Sequence, residues 1–402
     1  MPEAVIVATG RTPIGRANKG SLVTCRPDNL TAHVVKEVLA KIPQLDPNTI
    51  EDLIVGCGQP AGEAGYNVGR VAAVLAGLDV PGVTVNRYCS SSLQTIRMAA
   101  HAIKAGEGDV FVAAGVETVS RFQYGASDTG PHNTALAEAE ARTAARAPKT
   151  GDPWTPLKGL PDVYIAMGQT AENVARREQV SRAEQDRYAL RSQERAVAAQ
   201  DSGVFKREII PVPLAGGAVM TQDDGPRRDT SLDRLASLAP VFRADGSVTA
   251  GNSCPLNDGA AAVLLMSDLR ARELGLTPLA RIVSSGLSSL APESMGLGPI
   301  AASRQALARA RMTIADVDVV ELNEAFAAQV IPAARGIGLD PFDDRLNPHG
   351  GAIALGHPFG MTGARILCTL LNDLRTTNTT IGLETMCVGG GMGMAMVVER
   401  LS

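Results

Sequence analysis

The chain has 402 residues, 45% of them apolar and 20% charged, and a net charge of -4 from 38 basic and 42 acidic residues. That balance describes a folded chain able to bury large cores, two or three domains by length, and it advertises no nucleic acid. Aromatic residues make up only 3%, which argues against a base-stacking platform.

The opening run Ala4-Val5-Ile6-Val7-Ala8 reads as a buried strand, because it lacks the basic n-region and long apolar core of a signal peptide. Leu30, Val34 and Val38 fall at helical spacing after an Asp28-Asn29 start signal. Residues 54–56 and 83–85 read as strands, Leu93, Ile96, Ala100 and Ile103 as one helix face, and 109–115 as another strand. Alternation of this kind predicts a layered α/β domain. From about 120 to 249 the character changes. An Ala-, Arg- and Glu-rich stretch covers 135–150, and Ser181 with Glu184 forms a capping box that opens a charged helix to about Gln200. This part reads as a looser, more solvated insertion. A strand returns at 260–266, and 281–398 repeats the earlier order: a helix around 301–311, a strand at 317–322, an amphipathic helix marked by Ala364, Leu367, Leu371 and Leu374, and two closing strands at 380–386 and 394–398. No apolar stretch reaches the ~20 residues that span a bilayer. The end, Glu399-Arg400-Leu401-Ser402, matches no peroxisomal or prenylation signal. Six scattered cysteines suit neither a disulfide scaffold nor a zinc site, and the five histidines show no paired ligand spacing, so a reducing cytoplasm and no metal are expected.

Three segments hold reactive side chains. In 85–94, Cys89 lies where a strand gives way to a helix, followed by Ser90, Ser91 and Ser92. Amides at a helix start favour a thiolate, can lower a cysteine below its reference pKa of ~8.5, and can face an oxyanion. The plain alternative is a small buried residue, the usual fate of a free cysteine. In 347–365, His357 precedes Pro358, which suits the first turn of a helix, and flanking glycines let other backbone come close. A histidine here can deprotonate a thiol and donate to an oxyanion; a satisfied structural histidine competes with that reading. In 385–393, Cys387 leads into Gly389-Gly390-Gly391 between two strand-like runs. A glycine-rich hairpin with an incidental cysteine is the alternative. A phosphate loop does not fit, because the run has no Lys-Ser/Thr ending and opens no helix.

Together with Val320-Glu321-Leu322-Asn323-Glu324-Ala325-Phe326, these segments resemble the signature blocks of the thiolase family, and 11–15, 225–231 and 248–259 match as well. The resemblance covers nearly the whole chain. It implies an α/β thiolase fold: two similar α/β halves with mixed sheets in a five-layered α/β/α/β/α core, plus an inserted loop domain. The expected division is 1–119 with 250–270 as the N-terminal thiolase domain, 120–249 as the inserted loop domain, and 271–402 as the C-terminal thiolase domain. The resemblance further implies that Cys89 is the acylated nucleophile, Cys387 the general acid/base, and His357 the base that activates Cys89. It makes Asn323 the holder of a water that shares one oxyanion hole with His357, and the amides of Cys89 and Gly389 the second hole. Arg227 aligns with a basic residue lying on the CoA nucleotide, and Met167 and Phe326 with residues lining the acyl pocket. Cys254 stands near the pantetheine, where many members carry Ser, a better hydrogen-bond partner than a thiol. His349 matches no catalytic position.

The implied substrates are CoA and acyl-CoA thioesters, with no permanently bound cofactor. A homodimer or homotetramer is expected, with no nucleic acid and no membrane insertion, and association with other β-oxidation enzymes would fit the role. The implied reaction is CoA-dependent cleavage of a 3-ketoacyl-CoA to acetyl-CoA and a shortened acyl-CoA, reversible as a Claisen condensation. A biosynthetic acetoacetyl-CoA thiolase is the alternative. Short-chain members usually carry His-Met-Gly where this chain has Ala166-Met167-Gly168, which favours degradation. A non-catalytic acyl-CoA-binding member would require none of Cys89, His357 and Cys387. A ketoacyl synthase would use a Cys-His-His set, without the Asn323 and second cysteine found here.

Overall fold

A computed structural model of the chain describes residues 2–146 and 158–402. The first half runs β1 (Ala4–Arg11), α1 (Pro27–Ala40), β2 (Asp52–Cys57), α2 (Val68–Ala76), β3 (Gly82–Val85), α3 (Ser91–Ala105) and β4 (Val110–Thr118). An excursion holding α4 (Met167–Arg177) and α5 (Arg182–Ser202) follows, and the chain returns as β5 (Asn257–Ser267). The second half is β6 (Ala280–Ser289), α6 (Gly298–Ala310), β7 (Val319–Leu322), α7 (Ala327–Ile337), α8 (Thr362–Thr377), β8 (Ile381–Val388) and β9 (Met392–Arg400).

The two halves repeat one topology. In the first, the strand order is β3-β2-β4-β5-β1, with β2 parallel to β3 and β4 and the other pairs antiparallel. In the second, the order is β7-β8-β9-β6, with β7 parallel to β8 and the rest antiparallel. A parallel bridge from Val320 to Leu346 occupies the position that β3 holds in the first half. The two mixed sheets meet along one seam, where Val5 pairs with Arg281 and Ile6 with Ala280.

Strand alternation sorts the cores. Val5, Val7, Leu53, Val55, Val110 and Val112 face the outer helices α1 and α2, whereas Ile6, Ile54, Phe111 and Val263 face a central layer of α3 and α8. Met386, Met394 and Met396 of the second sheet close that layer from the other side, and Val320, Leu383 and Val397 turn outward to α6 and α7. The result is five layers. Leu93, Ile96 and Ile103 of α3 are fully buried, each worth about 1.5–3 kcal/mol relative to exposure. Gly106, at φ 78°, ends α3 in the left-handed conformation that glycine adopts without strain.

Two expectations need correction. The helix α8 has the expected apolar and polar faces, but the polar one does not meet solvent: every residue from Thr362 to Leu374 is buried, Arg365 and Asp373 included, because the helix lies between two sheets. Nor is the 120–249 stretch uniformly loose. Along α5, Tyr188, Ser192 and Ala196 are buried against the second half. The Ser181 hydroxyl accepts the Glu184 N–H at 3.2 Å, but the Glu184 carboxylate pairs with Arg335 instead of completing the box. The insertion is also pinned to β1. The fully buried Arg11 donates to Glu208 at 2.7 Å and to both oxygens of Asp223 at 2.7 and 3.0 Å. The Ala- and Arg-rich stretch forms a helix over Ala137–Arg146 after a short turn at Thr134–Leu136, and its residues 147–150 lie outside the described residues.

Candidate active site

Cys89 sits on a tight elbow, a single 3-10 turn over Tyr88–Ser90 that links β3 to α3. Tyr88 adopts φ 42°, a left-handed conformation strained for a residue with a bulky side chain. Hydrogen bonds hold it there. The Asn86 side chain accepts the Tyr88 N–H at 2.8 Å, and the Ser91 hydroxyl accepts from Arg87 N at 2.9 Å while donating to Tyr88 O at 2.7 Å. Polar side chains next to the elbow thus do the work of ladder bonds.

His357 occupies the equivalent junction of the second half, ahead of α8. Pro358 does not begin that helix, as its position suggested. It begins a separate turn, in which Met361 N and Thr362 N both donate to Pro358 O at 3.0 Å, and α8 starts at Thr362. The two junctions meet because α3 and α8 touch at their first turns. The Ser92 hydroxyl accepts the Ala364 N–H at 2.9 Å, and a Cβ on Gly363 would fall 2.4 Å from Leu93 N, so only glycine permits this approach.

The His357 ring is oriented from both sides. The Thr362 hydroxyl donates to Pro358 O at 2.7 Å and so must accept from the ring, whose Nδ1 lies 2.6 Å away. The proton is therefore on Nδ1, and Nε2 carries a lone pair. Asn323 Nδ2 donates to that Nε2 at 3.3 Å. Burial, reinforced by Arg365, lowers the His357 pKa to about 3, so the imidazole is neutral.

Cys387 lies near the end of β8, just before the Gly389–Gly391 turn of the β8–β9 hairpin, with Gly390 and Gly391 at φ 80° and 82°. The amides of Gly389 and of Cys89 itself both reach the Cys89 sulfur. They pull its pKa down, but burial outweighs them and holds the thiol at about 11, with the Glu117 charge adding to the rise. The expectation of a lowered pKa is therefore wrong for the resting protein: desolvation beats the helix-start amides. Burial, and then the neighbouring Cys89 and Cys254 sulfurs, push Cys387 well up. The site holds neutral thiols at the first junction and a neutral imidazole at the second, and the two junctions meet where α3 and α8 touch.

Around this group, Phe326, Cys387, Met167 and Cys254 share one apolar cluster. A Cβ on Gly389 would lie 3.7 Å from Met167 Sδ and 3.5 Å from Tyr88 Cγ. Arg227 does not join the sulfurs. It lines a separate surface cavity of about 280 Å³ with Gln193, Val197, Arg228 and Thr230, and its N–H donates to Gln193 Oε1 at 2.8 Å. His349 pairs with Asp373. Sequence reading missed Thr362, five residues beyond His357, and Glu324, whose buried carboxylate accepts from Ser192 Oγ at 2.6 Å, Asn347 Nδ2 at 2.8 Å, and Tyr188 Oη and Ile353 N at 3.1 Å. It also missed Glu117, although a lone acid in the otherwise apolar run 110–116 and its continuation was a readable signal.

The thiolase N-terminal domain model matches residues 4–269 and the thiolase C-terminal domain model matches 276–400. The chain belongs to the thiolase family, and it is an acyltransferase of that family. It is 44% identical to a 3-ketoacyl-CoA thiolase of Bacillus subtilis over 99% of this chain and 100% of that one. It is also 44% identical to the 3-oxoadipyl-CoA/3-oxo-5,6-dehydrosuberyl-CoA thiolase of Escherichia coli, over the full length of both. The crystal structure of the Bacillus anthracis acetyl-CoA acetyltransferase superposes with a TM-score of 0.84 at 36% identity, covering 100% of this chain and 99% of that one. Among the described residues, no helix is long and apolar enough to cross a membrane.

Proposed function

We propose that the chain cleaves 3-ketoacyl-CoA with free CoA, through an acyl group carried on Cys89. The observation that carries this reading is the meeting of Cys89 with Gly389 and Cys387 from the far end of the chain, alongside a lone pair on His357 Nε2. The Cys89 proton passes to Nε2, and the thiolate attacks the keto carbon. The alkoxide collapses, and the bond between C2 and C3 breaks. Cys387 protonates the departing acetyl-CoA enolate, and the shortened acyl group stays on Cys89. Free CoA then attacks the thioester and gives its proton to Cys387, while Cys89 leaves and regains its proton from His357.

The amides of Cys89 and Gly389 serve one developing oxyanion, and His357 serves the other with a water held by Asn323. Met167 and Phe326 line the acyl pocket, Cys254 borders the pantetheine, and Arg227 lies on the nucleotide. No permanent cofactor or metal takes part. The degradative direction is favoured over acetoacetyl-CoA synthesis by Ala166 in place of histidine. The setting is the cytoplasm, with the chain divided into N-terminal (1–119, 250–270), inserted (120–249) and C-terminal (271–402) domains. The chain assembles as a homodimer or homotetramer, and pairing with a second copy is supported by β3, which pairs on one side only and is half-buried along its length.

The test is a thiolysis series across acyl lengths, with branched and carboxylate-ended substrates included. Turnover on 3-ketoacyl chains longer than acetoacetyl-CoA is the expected result. Consumption of none of them in the presence of CoA defeats the reading.

A further inference from the structure

Glu117, near the end of β4, is 1% exposed and takes no part in the chemistry above. Its carboxylate is nonetheless crowded with donors. Oε2 accepts from Gly58 N at 2.8 Å and from Gly360 N at 2.9 Å, and Oε1 accepts from Gln59 N at 3.2 Å and from the Cys57 thiol at 3.7 Å. Gly58 and Gln59 follow β2 of the first half. Gly360 belongs to the second half and stands three residues after His357.

That turn is sunk deep into the first half. A Cβ on Gly360 would fall 2.2 Å from Val116 O and 2.8 Å from Gly56 O. The neighbouring Phe359 edges onto the His357 ring at 5.2 Å between centroids. A Cβ on Gly58 would meet Phe359 Cβ at 3.1 Å and Tyr88 O, in the peptide that precedes Cys89, at 3.6 Å. One carboxylate therefore touches the backbone on which both the imidazole turn and the cysteine elbow rest.

We propose that Glu117 is a positioning residue for the acyl-transfer reaction, clamping the His357 turn of one half against the Cys89 elbow of the other. The inference rests on Cys89 and His357 being nucleophile and base. A buried carboxylate is costly, and charge-assisted bonds from three backbone amides offset that cost. A glutamine would turn its NH2 toward one of those amides, donor against donor. The carboxylate has a second consequence. Its charge is one of the causes that hold the Cys89 thiol up, and burial, opposed by the same amides, brings Glu117 itself to about 7. The titratable groups facing it are Cys57, Cys89 and the Arg121–Glu63 pair that lines the same small cavity.

The experiment compares Glu117→Gln and Glu117→Asp with the wild type in two assays. One is iodoacetamide alkylation of Cys89 against pH, read by peptide mass, and the other is steady-state thiolysis of a 3-ketoacyl-CoA. Glu117→Gln is expected to raise alkylation severalfold at pH 8–9, where Glu117 is ionised, because a negative charge near the thiol is gone. The same variant is expected to lower kcat about 10²-fold through misplacement of the turn. Glu117→Asp keeps the alkylation profile and still loses about tenfold in kcat, because its reach is shorter. A merely structural role would reduce the folded fraction and leave both readouts at wild-type values per folded molecule, and that result overturns the proposal. Should neither variant fold, the wild type decides. The Gly58, Gln59 and Gly360 amides must be protected from hydrogen exchange in the folded protein, and rapid exchange at all three overturns the proposal. A wild type that alkylates at Cys89 but cleaves no 3-ketoacyl-CoA defeats the functional reading, while the alkylation arm still judges Glu117.

Discussion

His357 Nδ1 donates to Thr362 Oγ1 across 2.6 Å, and the same hydroxyl donates to Pro358 O, so one threonine fixes both the ring plane and the tautomer of the histidine. Thr362→Val keeps the shape and removes the acceptor. The Nδ1 proton is then left unpaired in a buried site, at a cost of about 1–3 kcal/mol, or roughly tenfold to a hundredfold in rate. The expected outcome is a fall in kcat of that size with KM nearly unchanged, measured by steady-state thiolysis. An unchanged kcat would show that the tautomer is set elsewhere.

The two site cysteines are expected to fail differently. Cys89→Ala removes the carrier, so no acyl adduct forms with acetyl-CoA and no 3-ketoacyl-CoA is cleaved. Cys387→Ala leaves the nucleophile and His357 in place, so an acetyl adduct on Cys89 is still expected, while thiolysis falls by about 10²–10⁴-fold for want of the acid. Intact mass spectrometry and thiolysis rates separate the two. Loss of the adduct in Cys387→Ala would mean that the second sulfur also supports acylation.

How much of this was legible in the chain? The alternation of strands and helices made a duplicated α/β unit plausible, because β1 and β5 stand out as continuous apolar runs and a period of 3.6 survives in α3. The reactive residues stood out because Cys89, His357 and Cys387 lie at ends of elements, where glycine, proline and serine mark sharp turns. Two things were hidden. The burial that raises Cys89 comes from the second half of the molecule, so no local reading of a helix start could weigh it. The polar residues of α8 are enclosed by both sheets, and a pattern of Ala364, Leu367, Leu371 and Leu374 reports only one face.

Acid is expected to act on the imidazole. The folded pKa of His357 is about 3, against ~6.5 when unfolded, so its contribution is complete above about pH 6.5 and is lost as pH falls toward 3. The full effect is of the order of a few kcal/mol. Urea midpoints at pH 7 and pH 4.5 should therefore diverge in the wild type and converge in His357→Asn. Equal divergence in both proteins would assign the acid sensitivity to other groups.

Arg11 offers a stability test away from the chemistry. It is fully buried and ion-paired with Glu208 and Asp223, both nearly fully buried. Arg11→Ala leaves two buried carboxylates without their cation, and a loss of about 3–5 kcal/mol is expected by chemical denaturation. A loss below about 1 kcal/mol would mean that water reaches those carboxylates.

The β8–β9 hairpin spans Ile381 to Arg400, so Cys387 and Gly389 leave a ribosome about 300 residues after Cys89. Cys89 would have left the tunnel long before, without the amide that helps polarise its sulfur or the acid that completes a turnover. A growing chain would thus turn over no thioester until residues 381–400 had been made. Any truncation upstream of residue 381 should yield a polypeptide that is mute as well as incomplete.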